Sequence, residues 1–135
     1  MIDFSCPHCN NSLTVNNQLV FSVEKKNKRK GLVILSSELG DYSAFKCNGF
    51  NVEKGESIFF YCPMCMHSLM YENNPSLVHI TRIENEFKKK LLFSSVFGEK
   101  ITYEISENNI MAYGEHSARY QEMLKKNYLY RNYDD

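Results

Sequence analysis

Two short segments of the chain repeat each other and constrain its fold more than any other feature. Residues 4–13 read Phe-Ser-Cys-Pro-His-Cys-Asn-Asn-Ser-Leu, and residues 60–69 read Phe-Tyr-Cys-Pro-Met-Cys-Met-His-Ser-Leu. Six of the ten aligned positions are identical, which gives the pattern Phe-x-Cys-Pro-x-Cys-x-x-Ser-Leu. Because a proline after the first cysteine suits the first corner of a tight turn, each segment is predicted to form a knuckle that aims two thiolates at one point.

Two such knuckles supply the four sulfur ligands that a tetrahedral zinc ion requires. The sequence therefore predicts one structural zinc ion bound by Cys6, Cys9, Cys62 and Cys65. Iron can also occupy a four-cysteine site, but zinc is the more common structural occupant and is favoured. The residue after the second cysteine often needs a left-handed backbone, which Asn10 tolerates better than Met66.

Metal binding is favoured over disulfide formation by the number of cysteines and by the start of the chain. The five cysteines are an odd number for a disulfide framework. The first residues also lack the basic start and apolar run of a secretory signal. We therefore expect a cytoplasmic protein, since thiols stay reduced there.

The two Cys-Pro-x-Cys units resemble the knuckles of zinc ribbons and rubredoxin-like proteins. The resemblance is limited to the two ten-residue segments. The interval between Cys9 and Cys62 holds 52 residues, whereas the commonest spacing is about 15 to 20. A substantial insertion with several strands is therefore expected between the knuckles.

Strand patterns predominate in the rest of the chain. Residues 18–24 and 32–35 read as a hairpin, and residues 43–47 and 57–61 as further strands. A meander is predicted at 77–106, in which Ile101, Tyr103 and Ile105 point inward and Thr102 and Glu104 outward, with the charged segment 84–90 separating two of its strands.

Only residues 115–126 read as a helix, with an apolar stripe formed by Tyr113, Tyr120, Met123 and Leu124. The predicted fold class is therefore mainly β with one C-terminal helix, in which a four-cysteine site of the zinc-ribbon type joins two small antiparallel β units. A length of 135 residues suits a single zinc-stabilised domain. Its expected parts are knuckle 1 at 4–13, an inserted β unit at 14–59, knuckle 2 at 60–69, the β meander at 77–106 and the helix at 115–126.

The tip of the predicted hairpin is strongly basic, although the whole chain has a formal net charge of zero. Five of the six positions from 25 to 30 are basic, namely Lys25, Lys26, Lys28, Arg29 and Lys30. Such a tip could bind phosphates, which makes a nucleic-acid-binding zinc ribbon an alternative function. The simpler interpretation is a charged turn that keeps the hairpin soluble and prevents edge-to-edge pairing.

A second alternative is thiol redox chemistry. The segment Cys6-Pro7-His8-Cys9 is identical to the active site of a family of strongly oxidising thiol oxidoreductases, a resemblance that would imply a nucleophilic Cys6 and a resolving Cys9. That chemistry requires the first cysteine at a helix N-terminus. Residues 10–15 instead suit a turn and a strand, and the zinc site uses both knuckles, so the redox function is less favoured.

The remaining features leave the target of the protein open. The C-terminal part is rich in tyrosines that could bind a protein partner, namely Tyr113, Tyr120, Tyr128, Tyr130 and Tyr133. No apolar stretch approaches the roughly 20 residues that span a bilayer, and no catalytic signature appears. We therefore expect a binding or regulatory module rather than an enzyme.

Overall fold

The chain forms two antiparallel β-sheets in the computed structural model, which describes residues 2–47, 49–107 and 109–128. The first, the inserted sheet, contains β2 (Thr14–Val15), β3 (Gln18–Lys25), β4 (Lys30–Ser36), β5 (Ala44–Lys46) and β6 (Ile58–Tyr61). Strand β3 is its centre: β4 pairs with one edge of β3, and β2 and β6 pair with opposite ends of the other edge. Strand β5 pairs with β4.

The second sheet, the C-terminal sheet, has the strand order β1-β7-β8-β9-β10. Its members are β1 (Ile2–Ser5), β7 (Leu77–Glu84), β8 (Phe87–Ser94), β9 (Thr102–Ser106) and β10 (Asn109–Tyr113). A 3-10 turn at Ser117–Tyr120 then leads into one short helix, α1 (Gln121–Tyr128). The predicted fold class, mainly β with two antiparallel sheets and a single C-terminal helix, is confirmed.

Strand β1 belongs to the C-terminal sheet, although the other strands of that sheet begin only at Leu77. Strand β1 pairs with β7, so that Ile2 lies opposite Glu84 and Ser5 opposite Thr81. Knuckle 1 therefore leads the chain from the C-terminal sheet into the inserted sheet, and knuckle 2 leads it back from β6 towards β7. Both knuckles are points at which the chain changes sheets.

The two sheets pack against each other through their inner faces. Phe21 on the inserted sheet contacts Phe93 on the C-terminal sheet, with ring centroids 5.6 Å apart, and both rings contact Phe60. A second apolar cluster lies on the outer face of the C-terminal sheet, where the fully buried Leu124 of α1 covers Leu92 and Tyr103. Helix α1 is thus part of the fold.

The structure corrects the predicted boundaries at three points. The α-helix starts at Gln121 rather than at 115, because residues 117–120 form the tighter 3-10 turn. Strand β8 already begins at Phe87, since Asn85 and Glu86 adopt positive φ and close a two-residue turn. Strand β10 adds a fourth strand to the predicted meander of three.

The predicted burial of Ile101, Tyr103 and Ile105 is confirmed, but the predicted outward face of β9 is wrong, because this strand is buried on both faces. Thr102 and Glu104 are each only 6% exposed. The carboxylate of Glu104 accepts hydrogen bonds from Arg82 at 2.9 Å and from Lys89 at 3.3 Å. These two cations neutralise a charge that would otherwise be costly to bury.

Beyond the knuckles, the two halves of the chain (residues 2–47 and 58–106) share one plan. Strands β1 to β5 of the first half correspond in order and pairing to β6, the bridge-forming residue Met70, β7, β8 and β9 of the second. The first strand of each half pairs with the other half: β1 with β7, and β6 with β3. The fold is a pseudo-dimer within one chain, with its first strands exchanged.

Corresponding hydrogen bonds support this equivalence after β4 and β8, where the shift is 58 positions, compared with 56 in the knuckles. The N–H groups of Ser36 and Ser94 donate to the carbonyls of Ser43 and Ile101, both at 3.3 Å. The Oγ atoms of the same two serines accept hydrogen bonds from the N–H groups two residues further on, at 3.2 and 3.0 Å. A glycine with positive φ follows in each half, Gly40 at 89° and Gly98 at 87°.

Candidate metal centre

Knuckle 1 is a tight turn closed by backbone hydrogen bonds. The N–H of Asn10 donates to the carbonyl of Cys6 at 2.9 Å, and the N–H of Cys6 donates to the carbonyl of Asn11 at 3.0 Å. At its base, the N–H of Leu13 donates to the carbonyl of Phe4 at 2.8 Å. The side chains of Phe4 and Leu13 are both 2% exposed and anchor the turn in the core.

Knuckle 2 reproduces this arrangement. The N–H of Met66 donates to the carbonyl of Cys62 at 2.8 Å, and the N–H of Cys62 donates to the carbonyl of His67 at 3.0 Å. The N–H of Leu69 donates to the carbonyl of Phe60 at 2.9 Å, and both side chains are buried. The identical phenylalanine and leucine of the two segments therefore serve to anchor their turns.

The identical serine of the repeat ends each knuckle. The Oγ of Ser12 accepts a hydrogen bond from the N–H of Thr14 at 3.1 Å, and the Oγ of Ser68 accepts one from the N–H of Met70 at 3.3 Å. Serine commonly makes this local bond to the backbone two residues on. It directs the chain from the knuckle into the next sheet.

The four cysteines converge on one point. The Sγ atoms of Cys6 and Cys65 are 3.8 Å apart, as are those of Cys9 and Cys62, and all four lie within 4.8 Å of one another. A tetrahedron with metal–sulfur bonds of about 2.3 Å has edges of about 3.8 Å. The cluster therefore has the spacing that a single tetrahedral ion requires, and each half of the chain provides two of its cysteines.

Backbone N–H groups surround the first sulfur of each knuckle. The Sγ of Cys6 accepts hydrogen bonds from the N–H groups of His8 at 3.3 Å and Cys9 at 3.5 Å. The Sγ of Cys62 has corresponding donors in Met64 at 3.4 Å and Cys65 at 3.5 Å. Because these donors favour a negative sulfur, they fit a metal-bound thiolate better than a thiol.

The thiols of the two cysteines in knuckle 1 have pKa values shifted in opposite directions. Burial raises the pKa of the Cys6 thiol to about 12, whereas the backbone N–H of Asn11 lowers the pKa of Cys9 to about 7. Redox chemistry of this kind requires the first cysteine at a helix N-terminus, whereas Cys6 lies in the turn between β1 and β2. The geometry therefore argues against the thiol redox alternative.

One histidine of each knuckle contacts the histidine of the other knuckle. The rings of His8 and His67 stack with centroids 3.6 Å apart and planes inclined by 13°. They are not part of the converging ligand set, which consists of the four cysteines. This contact was not predicted from the sequence, because it depends on how the two knuckles face each other.

The basic hairpin tip lies in the turn between β3 and β4. Lys25 is engaged by the fold, because its Nζ donates to the carbonyl of Asn51 at 2.7 Å and forms an ion pair with Glu56 at 3.1 Å. The other four basic residues, Lys26, Lys28, Arg29 and Lys30, are exposed. Nucleic-acid binding by this tip remains a prediction.

Among the C-terminal tyrosines that the structure describes, the side chain of Tyr120 is used in packing. Tyr120 packs on the outer face of the C-terminal sheet, and the carbonyl of Tyr113 accepts a hydrogen bond from Tyr42 at 3.1 Å. The side chain of Tyr128 and the residues Tyr130 and Tyr133 lie outside the described part of the chain. A partner surface formed by the tyrosines therefore also remains a prediction.

Comparison with known proteins finds no match: no protein-family model, no curated protein and no solved structure is significantly similar to this chain. The zinc-ribbon resemblance thus rests on the two knuckles and their four converging cysteines. Among the described residues, no helix has the length and apolar character needed to cross a bilayer.

Proposed function

We propose that this chain is a small zinc-binding protein whose four-cysteine site is structural and which acts as a binding or regulatory module. The observation that carries the proposal is the convergence of two distant knuckles, which brings four sulfur atoms within 4.8 Å of one another. Zinc is the common structural ion for four thiolates. We further propose a cytoplasmic location, where thiols remain reduced.

A structural role follows from the ligand set and its place in the fold. Four thiolates fill a tetrahedral shell, so that a substrate or reactive water has no position on the ion. The ion would join the two turns at which the chain changes sheets, because Cys6 and Cys9 come from one knuckle and Cys62 and Cys65 from the other. Residues 1–135 are accordingly proposed to fold as one zinc-stabilised domain.

The test is metal analysis of the purified protein together with paired cysteine variants. We expect about one zinc per chain, and a cobalt-substituted protein should show the absorption of a tetrahedral thiolate site. The Cys9→Ser variant should lose metal. The Cys47→Ser variant is the matched control, since Cys47 lies outside the cluster and should leave the metal content unchanged. Folded, metal-free protein or equal metal loss in both variants would refute the proposal; bound iron would refute the choice of ion.

The nucleic-acid alternative predicts a different result. It rests on the four exposed basic residues of the hairpin tip. If they bind phosphates, retention on mixed nucleic acid should fall steeply with salt, and the Arg29→Glu variant should weaken it. The absence of salt-dependent retention would remove this alternative while leaving the zinc site untouched.

A further inference from the structure

The outer face of the inserted sheet, turned away from the other sheet, carries several apolar side chains, of which Leu32 and Phe45 are exposed. Strand alternation and register place six apolar or aromatic side chains on it: Val20, Leu32, Ile34, Phe45, Phe59 and Tyr61. Phe45 is 65% exposed and Leu32 41% exposed. Ser22 and Glu24 of β3 lie on the same face beside Tyr61 and Phe59. An apolar patch of this kind with polar neighbours is typical of an interaction surface.

The equivalent face of the other half is covered by the chain itself. At the shift of 58 positions, Phe45 corresponds to Tyr103 and Ile34 to Leu92. Tyr103 and Leu92 are fully buried, because α1 places Leu124 against them. The same position of the same fold is thus 65% exposed in one half and 0% exposed in the other.

The edges of the two sheets differ in the same way. Strand β9 pairs with β10, whereas the equivalent β5 is the last strand of the inserted sheet among the described residues. After β5 the chain turns towards the core, where Phe50 and Val52 are buried. Among its described residues, the first half therefore has no equivalent of β10 or of α1, which cover the second half.

Charges at the two ends of the face are opposite in sign. The exposed basic residues Lys28, Arg29 and Lys30 lie at the β3–β4 turn and outnumber the partly buried Glu24, which stands opposite Lys30. The exposed acidic residues Glu38 and Asp41 follow the other end of β4. When a second copy lies on this face with its β4 antiparallel to β4 of the first copy, the basic end of each copy lies over the acidic end of the other.

We infer that the outer face of the inserted sheet binds the same face of a second copy of this chain, with the strands of the two copies antiparallel. A two-fold axis makes the patch self-complementary, as in most homodimers. The antiparallel arrangement also places the basic end of each copy next to the acidic end of the other, whereas a parallel arrangement would place like charges next to each other. The equivalent face of the C-terminal sheet is excluded, because α1 already covers it.

The test is the molar mass of the zinc-loaded protein by sedimentation equilibrium over a concentration series. We expect a reversible dimer of the native chain, and a dissociation constant more than tenfold higher for the Phe45→Glu variant. Phe87→Glu is the matched control, because Phe87 is 74% exposed on the C-terminal sheet and should not affect the dimer.

The Leu32→Lys variant tests whether Phe45→Glu weakens the dimer merely by disturbing the fold. The equivalent position of the second half is Lys90, so the fold accepts a lysine there. Circular dichroism and zinc content should match the native protein, while dimerisation weakens. Because zinc content is measured separately, failure of the dimer and failure of the zinc site are distinguishable.

A charge exchange tests the antiparallel arrangement. Glu38→Arg and Arg29→Glu should each raise the dissociation constant roughly two- to thirtyfold, because the two-fold axis places the changed ion pair at both ends of the face. The double variant should recover the native value, since the opposite charges then face each other again. A native chain that stays monomeric, a dimer unaffected by Phe45→Glu, or a double variant weaker than both single variants would overturn the inference, and so would a different protein bound to this face of a monomer.

Discussion

Asn10 and Met66 have nearly the same left-handed backbone conformation, with φ of 64° and 61°. Each follows the second cysteine of its knuckle, and its N–H donates to the carbonyl of the first. Asparagine adopts this conformation more readily than other side-chain-bearing residues, whereas methionine does so at a cost. The two turns are thus alike in geometry but differ in strain.

The Met66→Asn substitution should therefore stabilise the protein. We expect the free energy of unfolding to rise by up to about 1 kcal/mol, because the strained residue is replaced by one that tolerates the left-handed region. Urea unfolding at fixed zinc concentration measures the change. Met64→Asn is the control, since Met64 is 66% exposed and is not among the residues with positive φ; an equal gain in both variants would contradict the explanation.

Two glycines with positive φ should respond differently to alanine. A Cβ at Gly114 would lie 2.2 Å from the carbonyl oxygen of Lys100 and 2.5 Å from the hydroxyl of Tyr42, whereas one at Gly40 would meet nothing within 4 Å. Gly40→Ala should cost about 1 to 2 kcal/mol from backbone strain alone. Gly114→Ala should cost about 1 to 3 kcal/mol more, because it also overpacks. Thermal unfolding of both variants measures the two losses of stability. Similar losses would show that the end of β10 can move away from the added methyl group at little cost.

Removal of the buried charge on Glu104 should be strongly destabilising. Glu104→Gln removes the buried carboxylate that Arg82 and Lys89 share and leaves Arg82 with the more exposed Glu84. Breaking a buried ion pair from one side typically costs about 3 to 5 kcal/mol. Glu84→Gln removes the other acidic partner of Arg82, whose side chain is 41% exposed, and should cost no more than about 1 kcal/mol. Denaturant unfolding of both variants would be compared; equal losses would mean that the Glu104 pairs contribute little.

The equivalence of the halves predicts equal costs at their first strands. Phe4 and Phe60 are 2% and 4% exposed and stand at the same place before their knuckles. Phe4→Ala and Phe60→Ala should each lower the free energy of unfolding by about 3 to 5 kcal/mol. Ile2→Ala, at a position 50% exposed, should have a much smaller effect. A small cost at Phe4 alone would indicate that β1 is loosely held.

The knuckles could be predicted because their geometry is local. Proline after the first cysteine, a left-handed residue after the second and a serine at the exit are each readable from a few neighbouring residues. Convergence of the four sulfurs followed from what a tetrahedral ion requires. The strand-rich character also followed from alternation, so the fold class was correct.

The equivalence of the complete halves was missed, although the sequence contains a weak sign of it. Ser36, Ser37 and Gly40 recur as Ser94, Ser95 and Gly98 at one shift. Only three identities mark this stretch, since the strands around it keep apolar character but change residue type. Hydrogen bonds preserve the equivalence where side chains do not.

The misplaced faces and boundaries have a long-range cause. Lys89 reads as part of a solvated segment, yet it lies in β8 because its partner Glu104 comes from β9. Glu104 reads as outward-facing for the same reason. A charge can be buried only beside an opposite one, and sequence distance conceals which residues become neighbours.

The exchange of first strands has a consequence for synthesis on the ribosome. Strand β1 is made before β7, and Ile2 cannot pair until Glu84 has been made. At about 5 to 20 residues per second, the growing chain carries an unpaired β1 for roughly 4 to 16 seconds. During that time its exposed edge is open to wrong partners, and Asp3 and Ser5 are the polar residues that keep this short segment in water.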